Sequence, residues 1–320
     1  MPKISTPAED EFHHLFRLYD VPDDHVVVTY SEMDTFRQCP LKHHWAYRER
    51  WAKTPKVGSA LAKGTLWHNV LETHYEMIRR GETDPEKLRA FALREYLIDP
   101  ENGQQDADQV LIEWMYDGYV EHYGTDPEWE ILATEVAGQV PLPHESGRYH
   151  LRFKIDMLVR QRSTGKVWLV DHKSARDFTR QAEIDIDDQF GLYTWALRKL
   201  GIPVFGFIRS DTRTQRNKGP MTAEQRFRRV LTYRTGTELR NIAADAADTA
   251  DHAWGGEPVR HSSPSPSMCT WRCDFLEAHL MVRKGADEER VLPDFGFHQN
   301  ETKHREYEPN PALSALDGSS

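Results

Sequence analysis

The stretch that most constrains this chain is Val167-Trp-Leu-Val-Asp-His-Lys-Ser174, an apolar run that ends abruptly in polar residues. It follows a turn signal at Ser163 to Gly165 and reads as a buried strand with a site at its C-terminal end. Side chains alternate along a strand, so Asp171 and Lys173 face one way. His172 faces the other way and offers the first side only its carbonyl. An acid and an ammonium on one face can hold a hard cation and orient a water beside it. A surface Asp/Lys pair satisfies the same pattern, so the neighbouring segments decide.

Two further strands precede this one. Trp129 to Val140 alternates, with Glu135 in its middle, and a hairpin turn around His144 to Gly147 leads into Tyr149 to Val159. Asp156 sits there among apolar neighbours. A buried carboxylate is costly unless it is paired, hydrogen bonded or metal bound. Glu135, Asp156, Asp171 and Lys173 thus fall on three successive strands, expected to be antiparallel. Downstream, Asp187 to Leu200 is an amphipathic helix with Gln189 and Tyr193 four apart on one face. Val204 to Arg209 and Phe227 to Tyr233 continue the strands, and Glu238 to Trp254 is an alanine-rich helix.

Upstream of the strands the chain reads as helical. Ser31 can cap a helix with Asp34 as its reciprocal partner, placing Phe36, Cys39 and His43 nearby, and Pro40 breaks that helix or starts another. Leu41 to Trp51 alternates aromatics with Lys42, Arg48 and Arg50, which suits stacking on single-stranded nucleic acid or core aromatics beneath solvated charges. From Gly58 to Glu76 a glycine-led helix turns Leu66, Val70 and Leu71 inward and carries His68. Pro85 to Tyr123 keeps helical spacing around a polar break at Glu101 to Asp108, a helical insertion that covers the site or builds core.

With 320 residues, 29% of them charged, the chain can bury one large domain with an elaboration. We expect a polar arm over 1–28, a main domain over 29–298 with a cysteine-containing segment at 262–285, and a flexible tail over 299–320. No apolar stretch reaches bilayer length and Met1 to Asp10 lacks a secretory pattern, so a cytoplasmic protein without membrane contact is expected. Three cysteines are an odd number for a disulfide framework and leave metal, cluster or burial open. A net charge of −10 opposes bulk attraction to nucleic acid, so local charge matters more. Arg209, Arg213, Arg216, Lys218, Arg226, Arg228, Arg229 and Arg234 face only Asp211 and Glu224 in their segment. That segment is a candidate phosphate-binding surface or a solvated face. The 16 histidines lack a His-Glu-x-x-His spacing, which disfavours a zinc hydrolase.

In order from Ser31 to His279, these pieces resemble the RecB-type branch of the PD-(D/E)XK nucleases, which includes CRISPR-associated and phage-encoded iron-sulfur exonucleases. The resemblance rests on Gly64-Thr-Leu-Trp-His68, Asp156, Asp171-His-Lys173 and Gln189-Phe-Gly-Leu-Tyr193, with Phe153 standing where relatives often have glycine. It implies an α/β, restriction-endonuclease-like core, a mixed central sheet flanked by helices. It also implies a metal-dependent DNA exonuclease acting on single strands in recombination, repair or end processing, with a phage or prophage origin. His68, Asp156, Asp171 and the His172 carbonyl would hold one or two Mg2+ or Mn2+ ions, and Lys173 would position water. Glu135 would support them, while Gln189 and Tyr193 would orient the strand or meet the DNA backbone. Some relatives join their ends through a [4Fe-4S] cluster on one cysteine before the core and three after it. Cys39, Cys269 and Cys273 fit three of those places, and His279 stands six residues after Cys273, where a cysteine often stands. A cluster, a Cys3His zinc site and thiols without metal all remain open. The rival function is a DNA-binding scaffold that keeps the fold without turnover, against which the intact set of His68, Asp156, Asp171 and Lys173 speaks.

Overall fold

The computed structural model describes residues 11–54, 60–94, 107–215, 219–256 and 264–300. A short 3-10 turn, His13–Leu15, precedes β1 (Val26–Val28), α1 (Tyr30–Gln38) and α2 (Pro40–His43), followed by a π turn, His44–Arg48, and β2 (Trp51–Ala52). Three helices follow, α3 (Ala60–Arg79), α4 (Pro85–Leu93) and α5 (Ala107–Tyr123). The strands β3 (Trp129–Pro141), β4 (Tyr149–Gln161) and β5 (Val167–Ala175) come next. After them run α6 (Gln181–Asp185), α7 (Asp188–Lys199), β6 (Val204–Arg213), α8 (Ala223–Arg226), β7 (Phe227–Thr232) and α9 (Gly236–Gly255). The last described elements are α10 (Pro266–Arg272), α11 (Leu276–Val282), α12 (Glu288–Asp294) and β8 (His298–Gln299).

Local chemistry accounts for the element ends. Thr29, not Ser31, caps α1: its hydroxyl accepts the Glu32 N–H at 3.2 Å, while Asp34 accepts from the Gln38 amide at 2.6 Å. The threonine wins because it is the last extended residue, with φ −114° and ψ 164°, so its hydroxyl is aimed at the free N–H groups of the first turn. Cys39 is extended again, which stops α1, and Pro40 then opens α2 where its missing N–H is no loss.

Six strands form one mixed sheet. β3–β4 and β4–β5 pair antiparallel, as the three-strand reading expected, β5–β6 pair parallel, β6–β7 antiparallel, and β1 runs parallel to the start of β4. Helices cover both faces. Met33 of α1, Phe190 and Tyr193 of α7 and the alanines of α9 pack on Leu151, Phe153, Ile155 and Phe207. On the other face Trp67 and Tyr75 of α3, Leu93 of α4 and Met115 and Tyr119 of α5 pack on Met157, Val159, Trp168 and Ile208. The segment expected as an insertion therefore builds core; Tyr96 and most of its polar break lie outside the described residues. A third, smaller core joins the ends of the chain, with Leu41 and Trp45 against Phe275, Leu292 and Phe297, closed by antiparallel pairing of β2 with β8.

The departure at Phe153 has a packing reason. Phe153 is fully buried and pairs across the sheet with Gly138, where an added Cβ would stand 2.6 Å from the ring. The space that a glycine would leave on β4 is supplied by a glycine on β3 instead.

Candidate active site

The sheet opens at the place the sequence singled out. β4 and β5 pair from Arg160↔Val167 only to Met157↔Val170, and the first residues of β4 pair with β1 instead. Asp156 and Asp171, the next residues along, stand at the mouth of that parting. The alternation of β4 also changes phase there: Phe153 and Ile155 enter one core, Met157 and Val159 the other. Beside them β3 bulges between Ile131 and Ala133, and Glu135 adopts a φ of 47°. Such a backbone costs on the order of 1–3 kcal/mol in a non-glycine residue. Pairing on both sides, Thr134↔Met157 and Val136↔Ile155, holds it in place.

His68 reaches this mouth from α3, one turn after Gly64. Its Nδ1 lies 3.3 Å from Asp156 Oδ2. His68, Glu135 and Asp156 each present one donor atom, and the three atoms lie within 4.8 Å of one another. Lys173 Nζ donates to Asp171 Oδ1 at 2.9 Å, while Asp171 Oδ2 is buried with no hydrogen-bond partner among the described residues. The backbone N–H of His172 donates to Asp156 Oδ2 at 2.7 Å. Gln189 donates to the Tyr193 hydroxyl at 3.5 Å, and the Tyr193 ring lies 5.8 Å from Phe153. Lys154, which the sequence reading passed over, pairs with Glu135 at 2.7 Å. Its place beside Glu135 comes from the pairing of β3 with β4, which no local pattern in the sequence shows.

Burial and charge divide the titrating groups. Burial opposes the charge on His68, but Asp156 outweighs it and lifts the imidazole to about 9. Burial would raise Asp156, yet His68 and Lys173 hold it below the usual carboxylate range. Burial and the Asp156 charge push Glu135 up to about 8 against the pull of Lys154. Burial raises Asp171 to about 6 despite Lys173. Burial would lower Lys173, but Asp171 and then Asp156 raise it. Burial pushes the Tyr193 phenol to about 12. Carboxyls that hold protons beside an ionised one can exchange those protons for a cation. Oxygen donors with one imidazole, and an orphaned buried carboxylate oxygen, fit a divalent metal.

The cysteines gather elsewhere. Cys39, Cys269 and Cys273 line one pocket with Gln38, Lys42, Pro264 and Met268. Cys39 Sγ accepts the Lys42 N–H at 3.5 Å, and burial pushes the Cys273 thiol up. His279 is not among the lining residues; it is buried, with its ring 5.9 Å from Trp45.

The basic segment is a correction. Arg209 bonds Asp211 and Thr179, Arg228 bonds Asp211, and Arg213 pairs with Asp177. Arg229 holds Asp126 with two bonds, Arg234 donates to the Ile184 carbonyl, and Arg226 donates to the Trp114 carbonyl. These arginines are engaged within the fold rather than presented as a free phosphate-binding face, with Asp211 from inside the segment and Asp177, Asp126 and backbone carbonyls from outside it. Arg216 and Lys218 lie outside the described residues. The aromatic stretch after Leu41 is likewise engaged, with Trp45 buried and Arg48 donating to the Ala253 carbonyl.

A mixed sheet between helical layers, parted at strands that carry acids and a lysine, defines the restriction-endonuclease-like class of α/β fold. The model of the PD-(D/E)XK nuclease superfamily matches residues 27–278, and the chain belongs to that family. It is accordingly a nuclease with a nucleic-acid substrate. Among solved structures it is similar to a "Putative exonuclease" from Eubacterium rectale, at 13% identity and a TM-score of 0.43, over 76% of this chain and 92% of that one. It is also similar to SSO0001, at 11% identity and a TM-score of 0.34, over 82% and 88%. A further likeness is to protein VC1899 from Vibrio cholerae, at 15% identity and a TM-score of 0.20, over 72% and 59%. No curated protein matches. Among the described residues no helix is long and apolar enough to cross a membrane.

Proposed function

We propose that this nuclease hydrolyses phosphodiester bonds in DNA, working from ends and on single strands, in recombination, repair or end processing. The observation that carries the hydrolytic reading is the convergence of His68, Glu135 and Asp156 within 4.8 Å beside the Asp171–Lys173 pair. His68, Asp156 and Asp171, with the His172 carbonyl, are the residues that would hold Mg2+ or Mn2+, and Glu135 supports them. A bound divalent ion polarises the scissile phosphate and acidifies a water. Lys173, fixed at 2.9 Å from Asp171, orients the attacking water or offsets charge growing on the phosphate. Gln189 and Tyr193 brace the catalytic strand. Action on ends and on single strands rests on the resemblance to phage-encoded and CRISPR-associated exonucleases.

The test is digestion of single-stranded and duplex DNA, labelled separately at each end, with Mg2+, Mn2+ or EDTA. Wild type should lose label only with metal, and Asp171→Ala should slow by on the order of 10²–10³-fold while DNA binding persists. The end that disappears first gives the polarity. Folded, metal-loaded wild type that binds DNA and cuts none of it would instead be a scaffold.

For the cysteine pocket we propose an iron-sulfur cluster, with zinc as the rival. Three thiols on one pocket supply the right ligand type. Iron and acid-labile sulfide in protein purified without oxygen, both lost in Cys39→Ser, support the cluster; stoichiometric zinc overturns it.

A further inference from the structure

The acid and lysine of the catalytic strand face one side of the sheet, and His172 between them faces the other, where its ring packs on a buried polar network. The His172 ring stacks on Tyr75 at 5.5 Å and 13°, with the Tyr119 ring edge-on at 6.4 Å. The Tyr75 hydroxyl donates to Asp126 Oδ2 at 2.5 Å and lies 2.7 Å from that of Tyr119. Arg229 closes the set: two nitrogens at 2.7 Å from the two Asp126 oxygens, and Nη2 at 3.0 Å from Tyr75 and 2.9 Å from Tyr119. Its guanidinium also sits 3.7 Å from the centre of the Tyr123 ring. Asp126 holds a φ of 52° to take part. Arg229 Nε has no hydrogen-bond partner among the described residues, but its two terminal nitrogens make four bonds. A buried ion pair held by that many bonds resists motion, because displacement leaves a desolvated charge without a partner.

We infer that Tyr75, Asp126 and Arg229 are positioning residues of the active site, acting through the His172 ring on the backbone that holds Asp156. Neither ring nitrogen of His172 has a hydrogen-bond partner among the described residues, so its ring contributes a flat surface rather than a donor. The backbone N–H of the same residue, however, is bonded to Asp156 Oδ2 at 2.7 Å, the oxygen that His68 approaches at 3.3 Å. Tyr75 stands seven residues after His68 on α3, two turns along the same stripe. One helix therefore grips the catalytic strands twice: His68 on the Asp156 carboxylate and Tyr75 on the His172 ring. Rotating β5 at His172 would move the Asp156 hydrogen bond and the Asp171–Lys173 pair together.

The functional consequence rests on the active-site reading above, but the mechanical one does not, and the experiment separates them. Tyr75→Leu, Tyr75→Phe, His172→Ala and His172→Phe are made in the full chain. For each, urea stability, hydrogen exchange of the β5 backbone, and Mn2+ affinity by calorimetry without DNA are measured. Tyr75→Leu and His172→Ala should speed β5 exchange and weaken Mn2+ binding by roughly 10-fold or more, under conditions where each variant stays folded. His172→Phe, which keeps the flat ring, should restore both to within about twofold of wild type. Lowered urea stability with unchanged β5 exchange and Mn2+ affinity would make the network merely structural and overturn the inference. So would His172→Phe behaving like His172→Ala. If Tyr75→Leu does not fold, Tyr75→Phe decides: it keeps the ring and loses the Asp126 bond, so faster β5 exchange is expected and wild-type exchange overturns the inference. If wild type takes up no Mn2+, the metal-site reading fails, while β5 exchange still judges the positioning.

Discussion

Asp171 and Glu135 are carboxyls that this fold keeps protonated beyond their ordinary range, and His68 is an imidazole that it keeps charged. Each binds its proton more tightly when folded, so stability is full below the unfolded value and lost as pH rises through the folded one. The windows are 3.8 to about 6 for Asp171, 4.5 to about 8 for Glu135, and 6.5 to about 9 for His68. Asp156 acts in the opposite sense, adding stability above the ordinary carboxylate range and losing it only in acid. Metal-free protein should therefore grow less stable to urea from about pH 5 to about pH 9, and Mn2+ affinity should rise over the same interval as the metal displaces protons. Glu135→Gln should flatten the middle of the stability curve; a curve that climbs across the interval would refute the charge assignment. At Gly138 the argument is steric: Gly138→Ala should cost about 1–3 kcal/mol by pressing on Phe153, and Phe153→Leu in the same chain should recover part of it in a urea titration. Asp171 and Lys173 were legible because a period-2 pattern shows which residues share a face, and Asp156 because a carboxylate among apolar neighbours on a strand needs a partner. Lys154 and the Gly138–Phe153 fit were harder, since they depend on the register between two strands.

At the level of elements, the strands and long helices follow the sequence closely, because the apolar period alone decides them. The arginine-rich stretch from β6 to α9 does not, because charge sign says nothing about where the opposite charge lies. Asp126, which holds Arg229, is 103 residues away from it. Removing one partner of such a pair leaves the other charge buried, so Arg229→Met should cost about 3–5 kcal/mol in urea unfolding. The salt dependence of DNA binding should stay at its wild-type slope, since Arg229 contacts protein rather than phosphate. A shallower slope with unchanged stability would return this segment to the role its composition suggested. The helices after Pro85 carry the same lesson: their spacing identified them as helices, but only the packing of Met115 and Tyr119 on β4, β5 and β6 shows that they form the second layer.

For the molecule as a whole, the two ends of the chain meet in a lobe that is separate from both sheet cores. Trp45 is its centre, fully buried, with its ring 5.4 Å from Phe275 and its indole N–H donating to Glu288 at 3.3 Å. The resemblance implied this joining through the cysteines, and the apolar pairs Leu41–Trp45 and Phe275–Phe297 show that hydrophobic burial does much of it. Emptying a fully buried tryptophan site costs about 3–5 kcal/mol, and a small lobe has little stability of its own to absorb that. Trp45→Ala should therefore loosen α10 to β8 before the sheet unfolds. Limited proteolysis should cut the variant first between residues 256 and 300, while the strand and helix signal in circular dichroism stays near wild type. Because Cys39 comes from one end and Cys269 and Cys273 from the other, any metal held between them binds only the closed lobe and should slow that cleavage. Adding a chelator should then speed it, in wild type as well as in the variant. If Trp45→Ala instead melts in a single transition with no preferred cut, the lobe and the sheet are one cooperative unit, and the ends of the chain are integral to the stability of the catalytic strands.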